Sequence, residues 1–137
     1  MAVFNKYNAF IDDLCGGAHN LKTAVYRVAL TDTAPNATDT TFTAPPPAAA
    51  SGYPSGGATP AVNGASTVSG VFTLKLADTT FVASGGSIGP FRYVIIYDGS
   101  ASNKLIGWYD YGSEVTLAAT DTFTTDFDDV NGVFTVS

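Results

Sequence analysis

The first residues in this sequence to invite a chemical reading are Gly85-Gly86-Ser87-Ile88-Gly89, a literal G-x-S-x-G. In a serine hydrolase that spacing holds the serine on a strained strand-to-helix turn above an oxyanion hole, with a histidine downstream as base. Here Pro90 and a β-patterned run follow, and the one histidine, His19, lies upstream beside Gly16-Gly17, so the pentapeptide reads as a turn. A second cluster, Asp121, Asp126, Asp128 and Asp129 followed by Asn131, carries the oxygen donors that calcium takes. It lacks the alternating donors, central glycine and twelfth-position glutamate of an EF-hand loop and reads as a solvated turn. Asp12-Asp13 reads as the polar side of a helix, and nothing in the sequence positions paired carboxylates for glycoside hydrolysis. Trp108, Tyr109 and Tyr111 have flat faces that stack on sugars, although core packing is the commoner use of such rings. Asn36-Ala37-Thr38 matches a glycosylation acceptor, which has meaning only in a secreted chain. The sequence contains no P-loop, dinucleotide fingerprint, paired-cysteine zinc site or H-E-x-x-H. No catalytic, metal or cofactor residue is assigned, and the expectation is a protein that is not an enzyme and carries no cofactor.

Composition narrows the class. A chain of 137 residues can bury one core, so a single β domain over residues 1–137 is expected. Charged residues make up 13% and hydrophobic ones 45%, which favours folding and leaves Thr, Ser, Asn and Gly to solvate the surface. A formal charge of −6 with six Lys and Arg cannot build a phosphate-binding stripe, so nucleic acid is not an expected partner. Cys15 stands alone and permits no internal disulfide. No run approaches the roughly 20 apolar residues of a membrane helix, and no basic-then-apolar leader opens the chain; a soluble protein made in the cytoplasm is expected.

The elements that must position these residues follow from periodicity. Val3 to Leu14 places Phe4, Tyr7, Phe10, Ile11 and Leu14 along one helical stripe, and Gly16-Gly17 ends it, giving an N-terminal arm over residues 1–17. That stripe can pack on the domain's own sheet or dock on another subunit. Lys22 to Leu30 alternates as a strand, with Ala24, Tyr26, Val28 and Leu30 on one face. Residues 31–70 then turn to Ala, Thr, Pro, Gly, Ser and Asn, a long excursion with a short strand around Thr40 to Thr43 and a Pro-rich run that favours extended backbone. It is either a contact arm or a surface excursion laid over the domain.

The half from 71 to 137 is rich in strands. Val71 to Ala77 turns Phe72, Leu74 and Leu76 inward, Thr80 to Ala83 continues, and Glu114 to Leu117, Thr122 to Phe127 and Val133 to Val136 close the chain, with Asn131-Gly132 as a turn pair. Between them lies the densest apolar stretch, Gly85 to Ser113, read as a hairpin. Phe91, Tyr93, Ile95 and Tyr97 point one way and Arg92, Val94, Ile96 and Asp98 the other, and the return strand carries Leu105, Ile106, Trp108 and Tyr109. Large side chains on both faces make this pair central, with Phe91, Tyr93, Ile95, Leu105 and Trp108 largely buried. The expected class is all-β, a β-sandwich or jelly roll of about eight short antiparallel strands with one short N-terminal amphipathic helix and a long Pro/Ala/Gly-rich loop.

The block GGSIGPFRYVIIYD, followed by LIGWYDYGSEVTLAATDTFTTDFDDVNGVFTV, resembles a recurrent family of small tailed-bacteriophage proteins. So does the opening, with its aromatic helix, the strand KTAVYRVALTDTAPN and a Gly- and Ala-rich insertion; the run Pro45 to Gly57 is where the chain departs from that pattern. The resemblance implies a virion structural component, a capsid decoration or cement protein on the capsid exterior, with the phage major capsid protein as partner and a homo-oligomeric state. It implies neither nucleic-acid nor membrane binding. The alternative is a carbohydrate- or receptor-binding module, or another tail or head–tail component. The two arm-like segments supply the candidate interface: Phe4, Tyr7, Phe10, Ile11, Pro45, Pro46, Pro47, Tyr53 and Pro54.

Overall fold

The computed structural model describes residues 2–45, 47 and 49–137. Pro46, one of the candidate interface residues, lies outside the described residues. In chain order the elements are β1 (Asn5–Lys6), α1 (Asn8–Cys15), β2 (Tyr26–Thr31), β3 (Val62–Val68), β4 (Val71–Leu76), β5 (Thr79–Val82), β6 (Ile88–Asp98), β7 (Lys104–Leu117), β8 (Thr122–Thr125) and β9 (Phe134–Val136). Among the described residues they form a four-stranded sheet in the order β1-β7-β6-β2, a three-stranded sheet β3-β4-β9 and the pair β5-β8, with antiparallel pairing throughout. The fold is all-β with one short helix, as the sequence leads one to expect.

The four-stranded sheet is covered on both faces. One face sends Tyr26, Val28, Leu30, Val94, Ile96 and Ile106 into a core completed by Leu74 and Leu76 of β4, Phe81 of β5 and Phe134 of β9, which makes the arrangement sandwich-like. The opposite face carries Ala29, Ile95, Tyr97 and Leu105 beneath Tyr7 and Phe42, with Trp108 at the margin. Phe42 lies parallel on Tyr97, centroids 4.1 Å apart. Each fully buried Leu, Ile or Phe contributes about 1.5–3 kcal/mol, so the two-sided cover is the main source of stability.

Several elements differ from their sequence reading, each for a physical reason. The helix starts at Asn8 rather than Val3 because Asn5 and Lys6 pair with Trp108 and Gly107 as an added edge strand, and Tyr7 stays extended while its N–H bonds Ile106 O at 3.1 Å. Gly107 makes this possible, since a Cβ there would collide with the Phe4 ring and the Asn5 carbonyl. The helix stops where expected, Gly16 N–H returning to Asp12 O at 2.8 Å. The strand expected from Lys22 starts only at Tyr26, because Thr23 and Ala24 N–H both turn back to Asn20 O. Glu114 to Leu117 is the far end of β7 and not a separate strand. Phe91 does not share a face with Tyr93, Ile95 and Tyr97. The β6–β7 register shifts between Phe91 and Tyr93, and this bulge turns Phe91 into the core of Val94 and Ile96. Phe91, Ile95 and Leu105 are buried, whereas Tyr93 and Trp108 are only half-buried.

The 31–70 excursion is laid over the domain. Thr41 bridges Lys104, and Leu105 N–H bonds Thr40 O at 3.1 Å. Further on, Ala58 and Val28 exchange both backbone hydrogen bonds at 2.8 Å, and the Leu30 N–H donates to the Tyr53 hydroxyl at 2.9 Å. The Ala58 backbone and the Tyr53 hydroxyl thus satisfy part of the outer edge of β2 in place of a strand. Gly57 is required there, because any Cβ would run into the Val28 carbonyl and its φ of +88° is left-handed. The Arg27 guanidinium then holds the carbonyls of Ser55 and Gly57 at 2.9 and 3.0 Å. The excursion's last part is a strand the composition concealed: β3 pairs with β4 through a turn in which Ser69 and Gly70 both have positive φ.

Candidate functional site

The apolar stripe of the N-terminal segment is spent inside the molecule. Tyr7 and Phe10 are 1% and 2% exposed, and Tyr53 is 5% exposed, so these three candidate interface residues are corrected to core residues. Phe10 meets Phe134 edge-on at 5.3 Å, and Tyr53 packs near Phe81. Burial pushes the Tyr7 and Tyr53 hydroxyls upward, with the Asp39 charge adding to the effect on Tyr7. Phe4 is half-buried against Phe134 and Tyr109. Ile11 and Pro54 are exposed, and Pro45 and Pro47 are half-buried.

The only histidine is engaged in a buried pair that the sequence did not signal, its partner being 79 residues away. His19 Nδ1 lies 2.9 Å from Asp98 Oδ2, and both side chains are closed to solvent. The other carboxylate oxygen accepts the Ser100 N–H at 2.9 Å and the Ser100 hydroxyl. Serine, aspartate and histidine thus meet, but in the wrong order for nucleophilic catalysis. The hydroxyl donates to the carboxylate, while His19 Nε2 is buried without a partner among the described residues. The arrangement is a clasp. It ties the loop after α1 to the β6–β7 turn, helped by Lys104 Nζ on Asp13 at 3.1 Å. Ser87 is exposed, between the Gly85-Gly86 bend and β6, which starts at Ile88, so the G-x-S-x-G segment leads into a strand and not into a helix.

The acidic tail also has a structural use. Asp128 Oδ1 accepts the Val130 and Asn131 N–H groups at 2.8 and 2.7 Å, and Oδ2 accepts the Asn131 amide at 2.9 Å. These bonds, those from Asn131 foremost, hold the Asp128 carboxyl below the ordinary range, with a smaller contribution from the Lys75 charge. Asp121 Oδ2 likewise accepts the Ala118 N–H at 3.0 Å.

A groove of about 410 Å³ lies where β7, β8 and the segment after β8 meet the N-terminal segment. Its wall is aromatic: Phe4, Tyr109, Tyr111, Phe123 and Phe127, with Asp126 and Asp128 at the same site. The rings support one another, Tyr111 edge-on to Phe123 at 5.3 Å, Tyr109 tilted on Phe127 at 6.3 Å and Phe4 edge-on to Tyr109 at 5.7 Å. Tyr111 is 54% exposed. The Tyr109 hydroxyl is pushed up to about 12 by burial, and the Asp128 charge adds to this. Trp108 does not join them. It is the strand neighbour of Tyr109 and faces the other way, 4.6 Å from the Tyr7 ring, so the three rings are divided between two faces of the sheet and form no single platform. Sequence reasoning singled out Tyr109 and Tyr111 as aromatics and Asp126 and Asp128 as part of a separate acidic cluster, and missed Phe123 and Phe127; only the fold brings these residues together.

Two outcomes follow. Asp98→Ala leaves His19 buried without its carboxylate and is expected to lower unfolding free energy by about 3–5 kcal/mol, whereas replacing both partners by leucine recovers part of that loss. Chemical denaturation of the three proteins checks this, and an Asp98→Ala loss no larger than that of an exposed substitution contradicts it. Asp128 has its folded value below its unfolded one, so its contribution is complete above the ordinary carboxylate range and disappears as pH falls through the folded value. Asp128→Ala should melt below the parent at neutral pH, and the gap should close on acidification below that range, as melting curves across pH will show. No protein-family model matches the chain, and no curated protein or solved structure matches it either.

Proposed function

We propose that this protein is a non-enzymatic virion structural protein of a tailed bacteriophage, binding the assembled capsid surface as a decoration or cement protein. The chain of motifs from the aromatic helix to the C-terminal strands supports the reading. The structural observation that carries it is the outer edge of β3, a seven-residue strand at the end of its sheet whose hydrogen-bonded neighbour, among the described residues, is β4 alone. Val62, Val68 and Val71 are exposed beside it. Such an edge takes a strand from a neighbouring subunit through main-chain hydrogen bonds, and repetition over a symmetric lattice multiplies a modest single contact. The capsid protein and further copies of this chain are the partners in this reading. The Pro-rich segment contributes through Pro45, Pro47 and Pro54.

The β3–β4 turn closes on the pair Val68–Val71, so alternation sends the Thr67 N–H away from β4. Thr67→Pro removes that donor without removing a β3–β4 bond. The variant is expected to keep its melting temperature within a few degrees and to lose most of its copies from purified particles, counted by quantitative mass spectrometry. Undiminished occupancy contradicts the edge as the contact, and absence of the parent protein from particles contradicts the virion reading itself.

A further inference from the structure

The aromatic groove at the β7–β8 end carries no part of the capsid-edge reading, and its chemistry points to one kind of occupant. Aromatic rings present negative faces to a cation, and nearby carboxylates add a full charge. Among the described residues that line the groove there are two aspartates and no Lys, Arg or His. Lys75 acts on Asp128 from outside that lining. Asp126 is exposed, and Tyr111 leaves more than half its surface open to a ligand. The whole chain carries −6, which draws cations toward it.

The protein already holds one cation in this manner. The Arg92 guanidinium grips Asp110 through two bonds of 2.8 and 3.0 Å and lies 5.5 Å from the Tyr93 ring centre. Asp110 sits between Tyr109 and Tyr111 in sequence, so carboxylate and aromatic alternate along this stretch of β7, and the groove repeats the combination of ring face and carboxylate with Tyr111, Asp126 and Asp128.

We propose that the groove binds a lysine or arginine side chain presented by a protein partner, its alkyl stem against Phe123 and Phe127 and its charge between the Tyr111 ring and the carboxylates of Asp126 and Asp128. The volume suits one long side chain with part of its backbone. An anion is repelled by the two charges, a cation gains from both, and a neutral sugar gains only hydroxyl hydrogen bonds to them, so a sugar is set against the lysine probe in the test.

The test is an NMR titration of the full chain with Nα-acetyl-lysine methylamide, beside the norleucine analogue, which keeps the stem and lacks the charge, and beside maltotriose. The expected result is saturable shifts of the Tyr109, Tyr111 and Phe123 ring signals and the Asp126 amide with the lysine probe alone. Tyr111→Leu, at an exposed position, should weaken binding about threefold while Tyr111→Phe retains it, since only the leucine lacks the ring face. Asp126→Asn should weaken it as well. Equal shifts with norleucine, stronger shifts with maltotriose, an unchanged affinity in Tyr111→Leu, or no shift in the groove with the lysine probe would each overturn the proposal. None of these readouts depends on virion attachment, so the groove and the β3 edge stand or fall separately.

Discussion

A strand pair with large side chains on both faces has to be covered twice, and β6 with β7 is such a pair. Ile96 and Ile106 on one side, and Ile95, Tyr97 and Leu105 on the other, are all nearly free of solvent contact. The strand-rich half of the chain covers only the first side, through β4, β5 and β9. The second side recruits what the sequence offers elsewhere: Tyr7 at the start of the helix and Phe42 in the low-complexity excursion. Burial of that face is the reason two segments that look like free arms are parts of the body.

This constraint also explains what could be read in advance. A central hairpin buried on both faces was legible, because aromatic and β-branched residues fill every position from Phe91 to Tyr97 except Arg92. The alternation of β4, the glycine stop of the helix and the Asn131-Gly132 turn were legible for the same local reasons. What escaped is non-local or carried by backbone. β1 exists because an edge of β7 is free, and β3 because β4 needs a partner; neither Asn5–Lys6 nor VNGASTV has the side chains of a typical strand. The bulge that turns Phe91 over is a property of pairing, invisible in one strand's pattern.

The candidate sites divide along the same line. Tyr109 and Tyr111 were visible as aromatics, but alternation separates them from Trp108, and only the return of β8 supplies Phe123 and, beyond it, Asp126 to the groove. His19 and Asp98 gave no signal at all, being joined only when the post-helix loop folds against the β6–β7 turn. The interior took Tyr7, Phe10 and Tyr53 from the residues that looked available to partners, and left Ile11 and Pro54 exposed. What the surface leaves exposed is the outer edge of β3, with Val62 and Val68, and an acidic aromatic groove around Tyr111 and Asp126, and the two proposals rest on these.

The central claim is that the N-terminal segment and the excursion are structural cover for the β6–β7 sheet. Native-state amide hydrogen exchange tests it residue by residue. The amides of Tyr7, Phe42 and Ala58, bonded to Ile106, Asn103 and Val28, are expected to exchange only through the same global opening as Ile95 and Ile96 in β6. Exchange of Phe42 and Ala58 at rates typical of an open loop, while β6 stays protected, would contradict it.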